Sequence, residues 1–358
     1  MFSYNSEPGQ SLAACGMGSS LATQLLLFFL LFPSLGQGVP QCPKACSCTT
    51  PVNGTSATCS PLDSFPKGLP VDTTYVFVEY TNLSQLSSDA LRGLPNLKEL
   101  HLAGNKINHL NSGLLTPTPA LKVLDLTGNT LSELPSGLFR NSGALHSLVL
   151  KGNRLETLKV DWLEGLVALR WLDVSANQLQ KLPPDLLLNF TTLQTLDLSD
   201  NLLLELPPNL LKGLPNLERL HLEGNQLQTL AEVTFSATPH LCHLFLQGNR
   251  LSKLPSSLFS TLGELDMLDL SNNSLAQVPD GLLDKVGQMK VGFDLSENPW
   301  KCDEKLCGLY HWLLNNQDKM FFKDEALCDS PKDQAGQKLL EVAKKTVCPK
   351  QQVLWATT

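Results

Sequence analysis

What the chain lacks narrows its function before anything it contains. It has no nucleophile elbow, phosphate-cradling glycine loop, dinucleotide fingerprint or His-Glu-x-x-His pair, so the spacings that arm a serine, hold a nucleotide or seat a catalytic zinc are missing. Its histidines, His101, His109, His146, His221, His240, His243 and His311, are scattered. No catalytic residue, cofactor or metal is expected, and the chain does not read as an enzyme. No basic stripe interrupts a net charge of −7, which argues against nucleic acid as a partner. No serine-glycine cluster stands out as a glycan-chain attachment site. No apolar run reaches the ~20 residues of a membrane helix.

The longest apolar run, Leu21 to Phe32, is followed by Gly36 and Gly38, a small-x-small cleavage site before Val39. Residues 1–38 therefore read as a secretory signal. Their first part has no lysine or arginine, and Met17 offers an internal start that would leave a signal of ordinary length. Residues 349–358 carry no hydrophobic tail for an anchor. A secreted, extracellular product is expected.

One phrase organises the rest: leucine, two residues, leucine, one residue, leucine, two residues, asparagine, first as Leu97, Leu100, Leu102 and Asn105. Its asparagines recur at Asn129, Asn153, Asn177, Asn201, Asn225, Asn249 and Asn273 in steps of 24 residues, then at Asn298 after 25. The leucines alternate with period two and so face one side of a short strand. Each asparagine falls where the chain leaves the strand and can bond backbone groups there. Prolines such as Pro135 and Pro255 disfavour regular helix in the return segments. Such units cannot bury their own leucines and must stack. Tyr75 to Leu86 reads as a divergent opening unit, with Val76 and Val78 on its strand and a register slipped by about one residue.

Cys42, Cys46, Cys48 and Cys59 precede the repeats, and Cys302, Cys307, Cys328 and Cys348 follow them. This is the distribution of two disulfide-bonded caps over the open ends of a solenoid, and the spacings lack the paired ligands of a zinc site. Cys15 goes with the signal, which leaves Cys242 over as a free, partly buried thiol. Leu309 to Leu313 is spaced as a capping helix. Sequons at Asn53, Asn82, Asn189 and Asn272 suit an exported chain.

The residues between the leucines form the outer face of the strand layer. One column reads His101, Asp125, Val149, Asp173, Asp197, His221, Phe245, Asp269 and Asp294. The column beside it reads Glu99, Val123, Ser147, Trp171, Thr195, Arg219, His243 and Met267. Val149, Trp171, Phe245 and Met267 thus face solvent. Apolar groups beside an arginine on a rigid sheet have the composition of a protein-binding hot spot, centred on Trp171, Arg219, His221, His243 and Phe245. A metal between His221 and His243 is the lesser reading of that pair. The stacked aspartates admit two readings, like charges awaiting a basic partner or residues simply tolerated at that position.

With these residues in view, the chain resembles the extracellular leucine-rich repeat superfamily and its secreted plasma glycoproteins. The resemblance rests on the repeats and on LERLHLEGN at Leu217 to Asn225, LDMLDLSNNSLA at Leu265 to Ala276, GFDLSENPW at Gly292 to Trp300 and GLYHWL at Gly308 to Leu313. It implies an α/β solenoid, a leucine-rich repeat horseshoe with a parallel concave β-sheet and disulfide-bonded N- and C-terminal caps. The divisions expected are a cap at 39–70, repeats at 71–298, a cap at 299–348 and a tail at 349–358. It implies cap pairings of first with third and second with fourth cysteine: Cys42 with Cys48, Cys46 with Cys59, Cys302 with Cys328, and Cys307 with Cys348. The usual C-x-C of the second cap is absent, Glu304 holding its second cysteine position. Functionally it implies a circulating, inflammation-responsive protein that modulates TGF-beta signalling in endothelium through TGF-beta ligands and receptors such as endoglin, and that binds cytochrome c. The second function class is an extracellular-matrix protein that binds collagen or other matrix components.

Overall fold

The computed structural model describes residues 42–346 and 348, apart from 52, 53, 62, 287 and 288. The expected signal, the tail and the Asn53 sequon lie outside the described residues. The chain winds as a solenoid whose inner face is a twelve-stranded sheet in strict sequence order. Ten of its strands are the parallel rungs: β3 (Thr73–Phe77), β4 (Glu99–His101), β5 (Val123–Asp125), β6 (Ser147–Val149), β7 (Trp171–Asp173), β8 (Thr195–Asp197), β9 (Arg219–His221), β10 (His243–Phe245), β11 (Met267–Asp269) and β12 (Gly292–Asp294). An antiparallel hairpin, β1 (Cys46–Thr49) and β2 (Thr55–Cys59), covers the first edge.

The register is the 24-residue period made visible, Glu99 against Val123, Val123 against Ser147 and so on. Leu121, Leu124 and Leu126 are buried while Lys122 is exposed and Val123, Asp125 and Thr127 are half-exposed, as period two requires. Removing each such leucine from water contributes roughly 1.5–3 kcal/mol, realised only against the neighbouring turns. The asparagines stitch the turns together. Asn129 Oδ1 accepts the Ile107 N–H of the preceding turn at 3.0 Å. Its Nδ2 donates to the Leu102 carbonyl of that turn at 2.9 Å and to Leu126 at 3.0 Å. The same pattern reaches Asn298.

The opening turn does not slip. Val76 lies opposite Leu100 in the common register, and Thr81 occupies the ladder position, its N–H and hydroxyl both donating to Asn105 Oδ1. A threonine there hides the period from the eye without shifting it. The residue before each ladder position takes a left-handed conformation, as glycine at five of the ten and as Tyr80, Ala176, Asp200, Asn272 and Glu297 at the others. Gly292 in β12 is where glycine is required twice over, since its φ is +141° and a Cβ would run into the Lys319 carbonyl.

On the convex side the chain makes turns, with one 3-10 turn at Val160–Trp162. Proline carbonyls initiate several of them, Pro135 accepting from Leu138 and Pro255 from Leu258. Behind them Phe139, Leu163, Leu187, Leu211, Phe235 and Phe259 form one buried column.

Disulfides join Cys42 to Cys48, Cys46 to Cys59, Cys302 to Cys328 and Cys307 to Cys348. In the second cap, α1 (Cys307–Asn316) buries Leu309, Tyr310 and Leu313 and packs on α2 (Leu339–Lys345). Met320 bridges to Phe293, and the Phe321 N–H donates to the Phe293 carbonyl at 2.8 Å, so the cap covers the last sheet edge. Cys242 corrects an expectation: it is 3% exposed and disulfide-bonded, not a free thiol, and its partner lies outside the described residues.

Candidate functional site

The register brings four of the five candidate residues onto adjacent rungs. His243 pairs with Arg219 and Phe245 with His221 across β9 and β10. The Phe245 ring stacks on the His221 imidazole, centroids 4.5 Å apart and planes within 16°. Trp171 stands apart: Thr195 on β8 intervenes before Arg219, a gap of roughly 10 Å at about 4.8 Å per strand.

The two imidazoles titrate in opposite directions. Burial alone would lower His221, but the hydrogen bond and charge of Glu223, whose Oε1 lies 3.1 Å from Nδ1, outweigh it together with Asp197 and Asp173, and its pKa is raised. His243 is pushed down to about 4, first by burial and then by Arg219 and His221, against the pull of Asp266. At neutral pH the site thus presents a neutral imidazole beside Arg219, while His221, against Phe245, holds its proton to higher pH than a free imidazole does. His221 and His243 lie diagonally, His221 is engaged by Glu223, and among the described residues neither belongs to a cluster spaced for a metal ion.

The concave face is less open than alternation alone implies. Val149 is 7% exposed and Thr195 3%, because inward curvature crowds side chains that a flat sheet would leave in water. Trp171, Arg219, His221, His243, Phe245 and Met267 keep partial exposure. Among the described residues, Ser147 Oγ, Trp171 Nε1, Glu223 Oε2 and Gln247 Oε1 at this face are buried without a hydrogen bond. Such atoms cost stability unless a partner satisfies them.

The aspartates have a local task that the columns did not reveal. Asp173 Oδ1 accepts the Ser175 N–H at 2.9 Å and its hydroxyl at 2.6 Å, and Asp197 and Asp269 hold Ser199 and Ser271 in the same way. The sequence signal is Asp-x-Ser, an Asx turn closing the strand. Burial, then the neighbouring Asp197 charge, raise the Asp173 carboxyl to about 6 despite Ser175. Asp269 is likewise raised to about 6, by burial and then by Asp294 and Glu223.

A carboxyl whose folded pKa is raised contributes stability that is complete below its unfolded pKa and is lost as pH rises through about 6. Asp173→Asn keeps the acceptor for Ser175 and removes the charge. It is expected to stabilise the fold by about 1 kcal/mol at pH 7.5 and to be neutral near pH 4. Urea unfolding at both values checks this, on protein from a host that does not glycosylate, since the change creates an Asn-x-Ser sequon. Equal effects at both pH values would refute the titration.

The strand register also assembles a basic row that the linear sequence does not display. Lys122 N–H donates to the Lys98 carbonyl, His146 to Lys122 and Arg170 to His146, so four basic side chains stand on consecutive turns at the rim. The charges of Arg170 and Lys122, after burial, lower His146. Three acceptors of the expected glycans, Asn82, Asn189 and Asn272, are exposed. No helix among the described residues is long and apolar enough to cross a membrane.

Comparison with known proteins agrees with this architecture. Phospholipase A2 inhibitor beta of Elaphe climacophora is 46% identical over 87 residues, 23% of this chain and 25% of that protein. Phospholipase A2 inhibitor of Gloydius brevicaudus siniticus is 39% identical over 94 residues, 25% of this chain and 28% of that one. Human vasorin is 34% identical over 79 residues, 22% of this chain and 12% of its own. The chain thus spans about a quarter of the length of the two inhibitors it matches. A chain from an octameric complex of Latrophilin 3, Unc5D and FLRT2 superposes with a TM-score of 0.68 at 24% identity, covering 83% of this chain and 97% of that one, a likeness of fold. The leucine rich repeat profile matches residues 73–131, 119–179, 172–227, 191–251, 217–275 and 239–289. Those matches take in more than half of the sequence and nearly every rung of the sheet, and the chain belongs to the leucine rich repeat family.

Proposed function

We propose that this is a secreted, glycosylated protein without enzymatic activity that binds other proteins on its concave face and modulates extracellular signalling. The observation that carries the reading is the stacked His221–Phe245 pair beside Arg219 and His243, on a sheet that disulfide-bonded caps close at both ends. An aromatic ring, a guanidinium and unsatisfied polar atoms on a rigid support are the ingredients of an interface centre. The carboxyl-terminal phrases resemble those of leucine-rich alpha-2-glycoprotein, which points to TGF-beta ligands, receptors such as endoglin, and cytochrome c as partners.

The test is binding of the secreted chain to that panel, joined by a phospholipase A2 because two similar proteins are inhibitors of that enzyme. Phe245→Ala, with unfolding unchanged, is expected to weaken a genuine interaction at least tenfold, corresponding to about 1.4 kcal/mol. Unchanged affinity would move the site off the concave face. The basic row of Lys98, Lys122, His146 and Arg170 favours a second reading, a matrix protein that holds an acidic matrix component. Retention on a sulfated polysaccharide column, lost in Lys122→Ala with Arg170→Ala, would select it.

A further inference from the structure

At the amino-terminal end of the concave sheet, three consecutive turns bring Glu79, His101 and Asp125 together, one donor atom from each lying within 4.8 Å of the others. We infer that these three side chains bind a zinc ion, with Glu99 as the outer carboxylate that orients the imidazole.

The hydrogen bonds sort the available atoms. His101 Nε2 lies 3.1 Å from Glu99 Oε2, which places a ring proton on Nε2 and leaves Nδ1 facing Asp125. A bound ion there would displace the proton that, against burial, Asp125 and Glu99 otherwise hold on the imidazole up to about pH 9. Asp125 Oδ1 is taken by the Thr127 N–H at 2.9 Å, so Oδ2 faces Nδ1. The gap between them, 3.9 Å, is too long for a hydrogen bond. A shift of about half an ångström closes it to the donor–donor edge of a tetrahedral ion held at ~2.0–2.2 Å. The Glu79 carboxylate makes no hydrogen bond or ion pair among the described residues and is free to supply the third donor. A ligating histidine that donates its other N–H to a carboxylate is the arrangement that fixes the tautomer and raises ligand basicity.

The surroundings also suit a bound ion. The Phe77 ring stacks on His101 with centroids 4.6 Å apart and planes within 12°, which pins the imidazole. His101 and Asp125 side chains are 12% and 15% exposed, shielded yet reachable from the concave side. Three carboxylates, those of Glu79, Glu99 and Asp125, surround one imidazole, and a divalent cation balances them better than a single proton. One nitrogen and two carboxylate oxygens suit zinc or a similar transition ion, whereas calcium requires six to eight oxygens.

Calorimetric titration of Zn²⁺ into the secreted chain, freed of metal by a chelator, is expected to show one site, a raised thermal midpoint, and no heat with Ca²⁺. Glu79→Gln, the change least able to disturb the fold, should weaken that site at least tenfold. His101→Gln should abolish it. Glu99→Gln should keep the one-to-one stoichiometry and weaken affinity ten- to a hundredfold, an effect peculiar to a second-layer carboxylate. Absence of zinc binding, a preference for calcium, or undiminished binding in both Glu79→Gln and His101→Gln would overturn the assignment.

Discussion

Replacing Asn201 with alanine is expected to cost about 3 kcal/mol or more of folding stability, roughly a 5–10 °C fall in thermal midpoint. The side chain is 3% exposed and serves two turns at once. Its Oδ1 accepts the Leu179 N–H at 3.0 Å, and its Nδ2 donates to the carbonyls of Val174 and Leu198 at 3.1 Å and of Ser199 at 3.0 Å. Alanine leaves the Leu179 N–H unpaired in a dry interior, which costs about 1–3 kcal/mol, and removes one of two donors from each carbonyl at about 0.5–1.5 kcal/mol apiece, since Val174, Leu198 and Ser199 keep the Asn177 amide, the Asn225 amide and the Ala176 N–H. Asn201→Asp should not rescue the loss, because it restores the acceptor while aiming a buried charge at carbonyl oxygens. Urea unfolding measures the cost. Hydrogen exchange should show protection lost first at β8 and the turns beside it, since each repeat contacts only its neighbours. A loss under about 1 kcal/mol would mean that water enters the site and replaces the amide.

That ladder was legible in the sequence because its spacing, residue type and position after the strand all repeat. The leucine faces, the parallel order and the cap helix followed from the same two periods. Features that depend on curvature or on lateral neighbours were not. Val149 reads as outward by alternation and is outward, yet it is buried because a concave sheet closes over its own inner side chains. Lys98, Lys122, His146 and Arg170 are a full repeat apart in the chain and one rung apart in space, so no local run of charge betrays them. Thr81 concealed the first rung by meeting the ladder with a hydroxyl. At the candidate site, the adjacency of Arg219, His221, His243 and Phe245 could be read from the register. The stacking of His221 on Phe245, with Glu223 behind it, could not, because side-chain rotamers decide it.

Trp300→Ala should be comparably severe but confined to the other end of the solenoid. The indole is fully buried, and its Nε1 donates to the Leu295 carbonyl at 2.9 Å. Trp300 also begins β13 (Trp300–Lys301), which pairs in parallel with β14 (Cys328–Ser330). The side chain therefore joins the last repeat to the disulfide-bonded cap. Truncation opens a cavity and leaves the Leu295 carbonyl only the 3.5 Å bond from Asn298 Nδ2, for a loss of about 3–5 kcal/mol. Trp300→Phe refills most of the volume without the N–H, so it should recover all but about 1–2 kcal/mol, separating packing from the hydrogen bond. In a one-dimensional stack the damage stays local. Exchange protection should fall at β11 and β12 and persist at β4 and β5, and binding through His221 and Phe245, two rungs or more from β12, should survive at temperatures where the cap has opened. Uniform loss of protection along the whole sheet would show instead that the solenoid unfolds as one cooperative unit, and that the cap governs the binding face from a distance.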